Sequence, residues 1–319
     1  MLSLLVDFGR LPNLQGLDGV VFKLPPLEAR SREVLARGGG AGVVRIGAPA
    51  WARKDWIGKL YPRGTAPRDF LREYARRVGA IELNASGHAL PAASVLAGWR
   101  AQTPAGFRFC PKLPRAVTHQ GMQAAGEAGP AGVAGTAAAA LAAGEAATRF
   151  GVLGERLGLG LLQLPPWFAP DRLAALDALL AALPMAVAVE LRHPGWFDFG
   201  ALRARAREVL ERRGAATVIT DVAGRRDVCH ASLTTPRVLV RFVGNGGAAV
   251  DLARLDGWAE RVGEWRAGGL DELYFFVHQP DDLLAPELLA EVVTRFNARA
   301  GTTLPALVLG EVPRQLRLL

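Results

Sequence analysis

Short apolar runs in this chain repeatedly end in a carboxylate, a cation or an amide. The clearest are Ile81-Glu82-Leu83-Asn84, Phe107-Arg108-Phe109-Cys110-Pro111-Lys112, Leu161-Leu162-Gln163-Leu164 and Val187-Ala188-Val189-Glu190-Leu191-Arg192, followed by Val238-Leu239-Val240-Arg241-Phe242 and Leu273-Tyr274-Phe275-Phe276-Val277-His278. Groups of this kind, brought together, can move protons on a charged substrate. Glu82 and Glu190 can act as a general acid and base, one raised in pKa by burial and the other held ionised by an arginine. Lys112 can stabilise a developing oxyanion, or form a Schiff base when its ammonium is partly desolvated. Asp221 closes a sixth run and joins the catalytic candidates. His193, just past Arg192, can shuttle a proton or simply cap the next helix. Asn84, Gln163, Arg192, Arg241 and His278 are the candidates for binding substrate.

These residues need elements that make them converge. Side chains two apart on a strand share a face, so Glu82 and Asn84 lie opposite Ile81 and Leu83, and Glu190 and Arg192 lie opposite Val189 and Leu191. Helix-like segments separate most of the runs, which implies parallel strands buried under a layer of helices. The polar face then points into a closed barrel, and its charges gather at the C-terminal mouth. The fold expected is therefore α/β, a TIM-like (β/α)8 barrel spanning residues 43–300, with an N-terminal extension over 1–42 and a tail over 301–319 lying across the underside.

The first strand reads as Val43 to Ala48, the sixth as Thr217 to Asp221 and the seventh as Arg237 to Val243. The sixth and seventh lie too close together for a full helix between them, so a degenerate sixth unit and a thinner wall are expected there. Prolines open helices at Arg68, Arg172 and just after Pro286. The Ala- and Gly-rich stretch from Ala131 to Phe150 reads as a thinly packed helix, mobile near Gly121 to Gly132. A short helix over Ser31 to Ala36 is expected within the extension. The loop from Pro49 to Pro67 carries Trp51, Trp56 and Tyr61, which either seal the barrel top or wall a ligand site.

Five cations, Arg45, Arg108, Lys112, Arg192 and Arg241, share the expected interior face with Glu82, Glu190 and Asp221. Unpaired charge is costly in such a space, so an anionic ligand would complete the balance; the alternative is an interior of mutual salt bridges, above all for the lower pair Arg45 and Arg108. Glu82, Glu190, Asp221 and His278 can also chelate a divalent cation, but the neighbouring cations oppose one, and no metal is assigned. Gly38-Gly39-Gly40 and Gly244-Asn245-Gly246-Gly247 lack the context of nucleotide motifs. The second can still cradle a phosphate at the helix start near Asp251.

Half the residues are hydrophobic and 21% are charged, a globular balance. Cys110 and Cys229 lie far apart with no ligand-like spacing, against both a disulfide framework and a zinc knot. The net charge of +8 permits nucleic-acid binding without showing it, because the excess arginine is scattered along helix faces. No window approaches the ~18 apolar residues of a membrane span, and the start of the chain is unlike a signal peptide; a cytoplasmic protein without membrane contact is expected.

The chain also resembles a known family. Trp56-Ile57-Gly58-Lys59-Leu60-Tyr61-Pro62, Ile81-Glu82-Leu83-Asn84, Pro104 to Lys112, Thr118-His119, Leu162-Gln163-Leu164-Pro165-Pro166 and Val189-Glu190-Leu191-Arg192-His193-Pro194-Gly195-Trp196-Phe197 are similar, in order, to the YecE-like family, domain of unknown function 72. The resemblance implies a TIM-like barrel, kinship with sugar isomerases and no settled reaction or cofactor; Trp196 in the last segment joins Trp51 and Trp56 as a binding candidate. Three departures bear on activity: Ala85-Ser86-Gly87-His88 stands where the family has Thr-Phe-Tyr, Val243 stands for the histidine of Arg-x-His-Gly, and His278-Gln279 replaces paired asparagines. The function expected is acid/base chemistry, isomerisation or hydrolysis, on a small anionic sugar-like molecule. The alternatives are a nucleic-acid-associated protein and a divalent-metal sugar isomerase.

Overall fold

Eight parallel strands form the wall of a barrel in the computed structural model, which describes residues 9–310 apart from 12–13, 18, 85–89, 123–129, 199 and 248. We number them β1 (Val43–Ala48), β2 (Ala80–Leu83), β3 (Arg108–Pro111), β4 (Gly160–Gln163), β5 (Val187–Glu190), β6 (Ala216–Asp221), β7 (Arg237–Val243) and β8 (Glu272–His278). Hydrogen bonds run β3-β2-β1-β8-β7-β6-β5-β4. Parallel bridges Phe109↔Leu157 and Lys112↔Leu161 bring β3 against β4. Gly47 permits the close approach of β1 to β2: a Cβ there would lie 2.0 Å from the Ala80 carbonyl oxygen.

The helices are α1 (Ala29–Leu35), α2 (Phe70–Ala75), α3 (Ala93–Gln102), α4 (Pro130–Gly151), α5 (Leu173–Ala182), α6 (Ala204–Arg212), α7 (Ala249–Ala267) and α8 (Ala285–Arg299). In α4 the buried residues Ala139, Ala143, Ala146 and Phe150 fall on one stripe. Small side chains there allow the helix to approach the layer beneath it closely. The mobility expected near Gly121 to Gly132 falls mostly outside the described residues.

No α-helix follows β6, as the spacing implied, only the short 3-10 turn Arg226–Val228, but the wall is not thin. Helix α1 of the extension stands between α6 and α7, in the place of the missing one. Arg30 of α1 pairs with Glu211 of α6, Arg32 with Glu264 of α7, and Glu28 just before it with Arg207 of α6. The buried hydroxyl of Ser31 donates to the Ala231 carbonyl (3.0 Å) and accepts from the Leu233 amide (3.0 Å), fixing α1 to the β6–β7 connection. The described part of the tail also departs from expectation. Instead of crossing the underside, residues 301–310 return past Asn297 of α8 and reach the loop after β1, where the Gly310 amide donates to the Lys59 carbonyl.

Inside the barrel the polar face is split in two. A central layer of Ala80, Cys110, Leu161, Ala188, Ala216, Val218, Leu239, Tyr274 and Phe276 is apolar and buried. Below it Arg45 pairs with Glu272 at 2.7 Å, and Arg108 bonds to the Ala105 and Phe107 carbonyls. Arg45 and Arg108 therefore do not belong to one charge cluster with the mouth. Both cysteines are buried thiols.

Candidate active site at the barrel mouth

Arg241, at the upper end of β7, ties two strands' carboxylates together. Its Nε and Nη2 donate to Glu82 at 3.0 and 3.1 Å, and its Nη1 donates to Glu190 at 3.0 Å. Around Glu82, Asn84 Nδ2 donates at 3.3 Å and His278 Nε2 lies 3.0 Å from Oε2. Around Glu190, Thr220 Oγ1 donates at 2.7 Å, the Gln163 amide donates, and Arg192 forms a salt bridge at 3.4 Å. Glu82 and Glu190 are almost completely inaccessible, whereas Arg241, Arg192 and His278 keep 12–14% of their side-chain surface in solvent. The two carboxylates are thus sealed from solvent, and the cations and imidazole around them reach it only by their edges.

Burial opposes the ionisation of Glu82, but Arg241 and His278 overcome it and hold the carboxyl well below the usual range. Burial likewise opposes ionisation of Glu190, and Arg192 and Arg241 again win. Neither glutamate is the raised acid that the sequence suggested. Lys112, at the end of β3, is moved towards neutrality: burial and the charges of Arg241 and Arg192 bring its ammonium down to about 8, against opposing pulls from Glu190 and Glu82. Since ionised Glu82 can only accept, the hydrogen between it and His278 resides on Nε2.

Five other candidates lie outside this network. Asp221 points out of the barrel towards α7, accepting from Trp258 Nε1 at 2.8 Å and pairing with Arg254 and Arg226. The sequence reading placed Asp221 on the interior face, and the structure reverses that parity: of the two adjacent polar residues it is Thr220 that points inward, to Glu190. Trp56 is buried against Tyr74 and Tyr61, and Trp196 is buried on Phe168 with its indole N–H bonded to the Phe168 carbonyl (2.6 Å). Both are core residues rather than walls of a site. His193 Nδ1 accepts from the Gly195 amide at 3.0 Å, capping the short turn Pro194–Trp196. Trp51, half-buried, packs edge-on against Trp99 at 5.2 Å.

The proposed chelating set does not converge, since Arg241 lies between Glu82 and Glu190 and Asp221 is outside. Among the described residues no three His, Cys, Asp or Glu side chains come together to hold a metal ion. The Gly244–Gly247 loop is not an open phosphate cradle either: the Asn245 amide donates to Asp251 (2.7 Å) and the Gly246 amide to Gln279 (3.0 Å). The departure at Ala85–His88 lies outside the described residues. Val243 sits directly beside His278 in the β7–β8 register.

Sequence reasoning missed three residues near the mouth. Thr220 was hidden because the expected parity put Asp221 inside. His119 is brought down to about 4 by burial and by Arg115, Lys112 and Arg192, and its Nδ1 lies 2.9 Å from Thr118 Oγ1. Asp282, in the loop after β8, is distinguished by a backbone φ of 59°, which no local sequence signal announces.

The family model described as "Protein of unknown function DUF72" matches residues 45–311. The chain is 31% identical over 267 residues to the UPF0759 protein YecE of Escherichia coli K12, covering 77% of this chain and 90% of that one. Its fold is similar to the crystal structures of DUF72 family proteins from Thermotoga maritima MSB8 (TM-score 0.55, 24% identity, 74% of this chain and 92% of that one) and Enterococcus faecalis V583 (TM-score 0.60, 17% identity, 85% and 100%). With the family model spanning most of its length and the barrel shared with solved members, this chain belongs to the DUF72 family.

Proposed function

We propose that the C-terminal mouth of the barrel is an active site for acid/base chemistry, isomerisation or hydrolysis, on a small anionic, sugar-like molecule. Lys112 carries this reading. An amine brought to about 8 beside two guanidinium groups is divided between ammonium and neutral amine near neutral pH, which suits it to give and take protons. Lys112, Arg192 and Arg241 together favour an anion, and the solvent-reaching edges of Asn84, Arg192 and His278 give hydroxyl groups donors and acceptors to meet. Glu82 and Glu190 serve as fixed anions: they orient Arg241, and Glu82 sets the tautomer of His278.

A thermal-shift panel tests the substrate class. Sugar phosphates and sugar acids should raise the melting temperature, neutral sugars should not, and Lys112→Ala and Arg192→Ala should lose the response. Binding should weaken as pH rises through about 8, because Lys112 then sheds its charge. If no anionic sugar acts, or if both variants respond like the parent protein, the substrate class is wrong.

A further inference from the structure

The N-terminal extension runs along the outside of the barrel between α1 and the loops of the mouth. Just before α1, Arg261 of α7 donates to the Pro25 carbonyl at 2.6 Å, and the guanidinium groups of Arg226 and Arg254 lie over the Phe22 ring at 5.1 and 4.9 Å. Further towards the mouth the extension meets the loop after β6, where the Gly9 carbonyl accepts from the Gly224 amide at 2.7 Å. Both positions demand glycine. Gly9 has a φ of 77°, and a Cβ on it would lie 2.8 Å from Cγ and 2.9 Å from Cβ of Arg225. A Cβ on Gly224 would lie 2.7 Å from the Gly9 carbonyl oxygen. Only a pair without side chains, one of them free to take a positive φ, brings the two backbones this close.

The clasp leads into the mouth through Arg225. Gly9 lies against its stem, and Asp227 holds its head, accepting from Nε at 2.8 Å and from Nη2 at 2.6 Å. The same Nη2 donates to the Arg192 carbonyl at 2.8 Å. Arg192 in turn bridges to Glu190 at 3.4 Å, the carboxylate that Arg241 also holds. We propose that the N-terminal extension is a positioning element of the mouth: through the clasp of Gly9 on Gly224 and the bond from Arg225 to the Arg192 backbone, it fixes Arg192 for capture of an anion. This rests on the reading of Arg192 as a binding group. Because Asp227 neutralises it, Arg225 brings no net charge to the mouth; it brings a fixed peptide. A guanidinium carried on a peptide already held in place loses less freedom when it meets a ligand, so the ligand binds more tightly. Coupling of this kind is reciprocal, and a bound anion must hold the extension down as firmly as the extension favours the anion.

Two variants of the full chain break the path at different points. Gly224→Ala disturbs the clasp by contact alone, since Gly224 is not among the glycines with positive φ. Arg225→Ala removes the bond to Arg192 and leaves both glycines. Inorganic phosphate and a sugar phosphate are titrated calorimetrically, with Arg192→Ala as the reference for lost binding. Each variant should weaken binding by about fivefold or more, and the double variant should be no weaker than the worse of the two, because both interrupt one path. In the parent, saturating anion should slow hydrogen exchange of the Gly224 amide by a comparable factor. Parent-like affinity in either variant, or Gly224 exchange indifferent to bound anion, would overturn the proposal and leave the reading of the mouth intact. The exchange measurement needs no variant, and it decides the matter if one fails to fold. If the parent binds neither probe, it is the reading of the mouth that fails, and the link to Arg192 is judged without ligand. Gly224→Ala should then quicken exchange of the Gly195 and Trp196 amides, which bond to His193 in the turn after Arg192, and leave α8 unchanged. Quickened exchange upholds the positioning of Arg192, for a ligand of another class; unaltered exchange overturns it.

Discussion

At the residue scale the mouth works by an imbalance of environments. Arg241 is neutralised on both sides by Glu82 and Glu190, while Lys112 lies beside that same guanidinium and is pushed towards its neutral form. The consequence for stability has a definite sign. Between pH about 8 and the ordinary lysine value of roughly 10.4, the unfolded chain binds a proton that the folded one has lost, so this residue makes stability rise with pH across that window. Competitive acetylation would measure the titration directly, since the chain has only the lysines Lys23, Lys54, Lys59 and Lys112. Lys112 should become reactive with a midpoint near 8, and a bound anionic sugar should move that midpoint upward; a midpoint at the ordinary lysine value would remove it as the acid/base group.

At the element scale the chain solves a local deficit with a distant segment. The connection from β6 to β7 contains no α-helix, and α1, nearly two hundred residues earlier, supplies the missing part of the outer layer. Its seat depends on one hydroxyl that both donates and accepts inside the protein. Ser31→Ala leaves the Ala231 carbonyl and the Leu233 amide without that partner, and should cost about 1–3 kcal/mol. Denaturant titration gives the loss, and hydrogen exchange should quicken at Leu233 before it does in β7. An unchanged midpoint with unchanged exchange would mean that α1 is held by its salt bridges and apolar contacts alone.

At the scale of the whole molecule, net charge is a poor guide to partners. Many of the arginines that give the chain its +8 are paired along the helices, as Arg76 and Arg77 are with Glu73, and Arg212 and Arg213 with Asp177. No helix among the described residues is long and apolar enough to cross a membrane. For nucleic acid the expectation is weak binding that disappears between 50 and 200 mM salt, as nonspecific phosphate contacts do. Tight binding that survives the higher salt, measured by gel shift, would displace the barrel mouth as the principal site.

Periodicity two and the repeated exchange of strand-like and helix-like segments were enough to read a parallel barrel, its strand ends and the inward side of Glu82, Lys112, Glu190, Arg192 and Arg241. Those features depend on neighbours in sequence, because adjacent side chains on a strand must alternate. What sequence left open or misplaced depended on neighbours in space. The expected parity put Asp221 inside, whereas packing against Trp258 and Arg254 turns it outward and leaves Thr220 inside. Trp56 and Trp196 were apolar enough for a core or a binding wall, and their burial decided it. The replacement of a wall helix by α1 required contacts across most of the chain. The protonation of the carboxyls was likewise tertiary: burial alone would raise all of them, and only the arginines assembled around Glu82 and Glu190, beside the less compensated Asp282, set them apart.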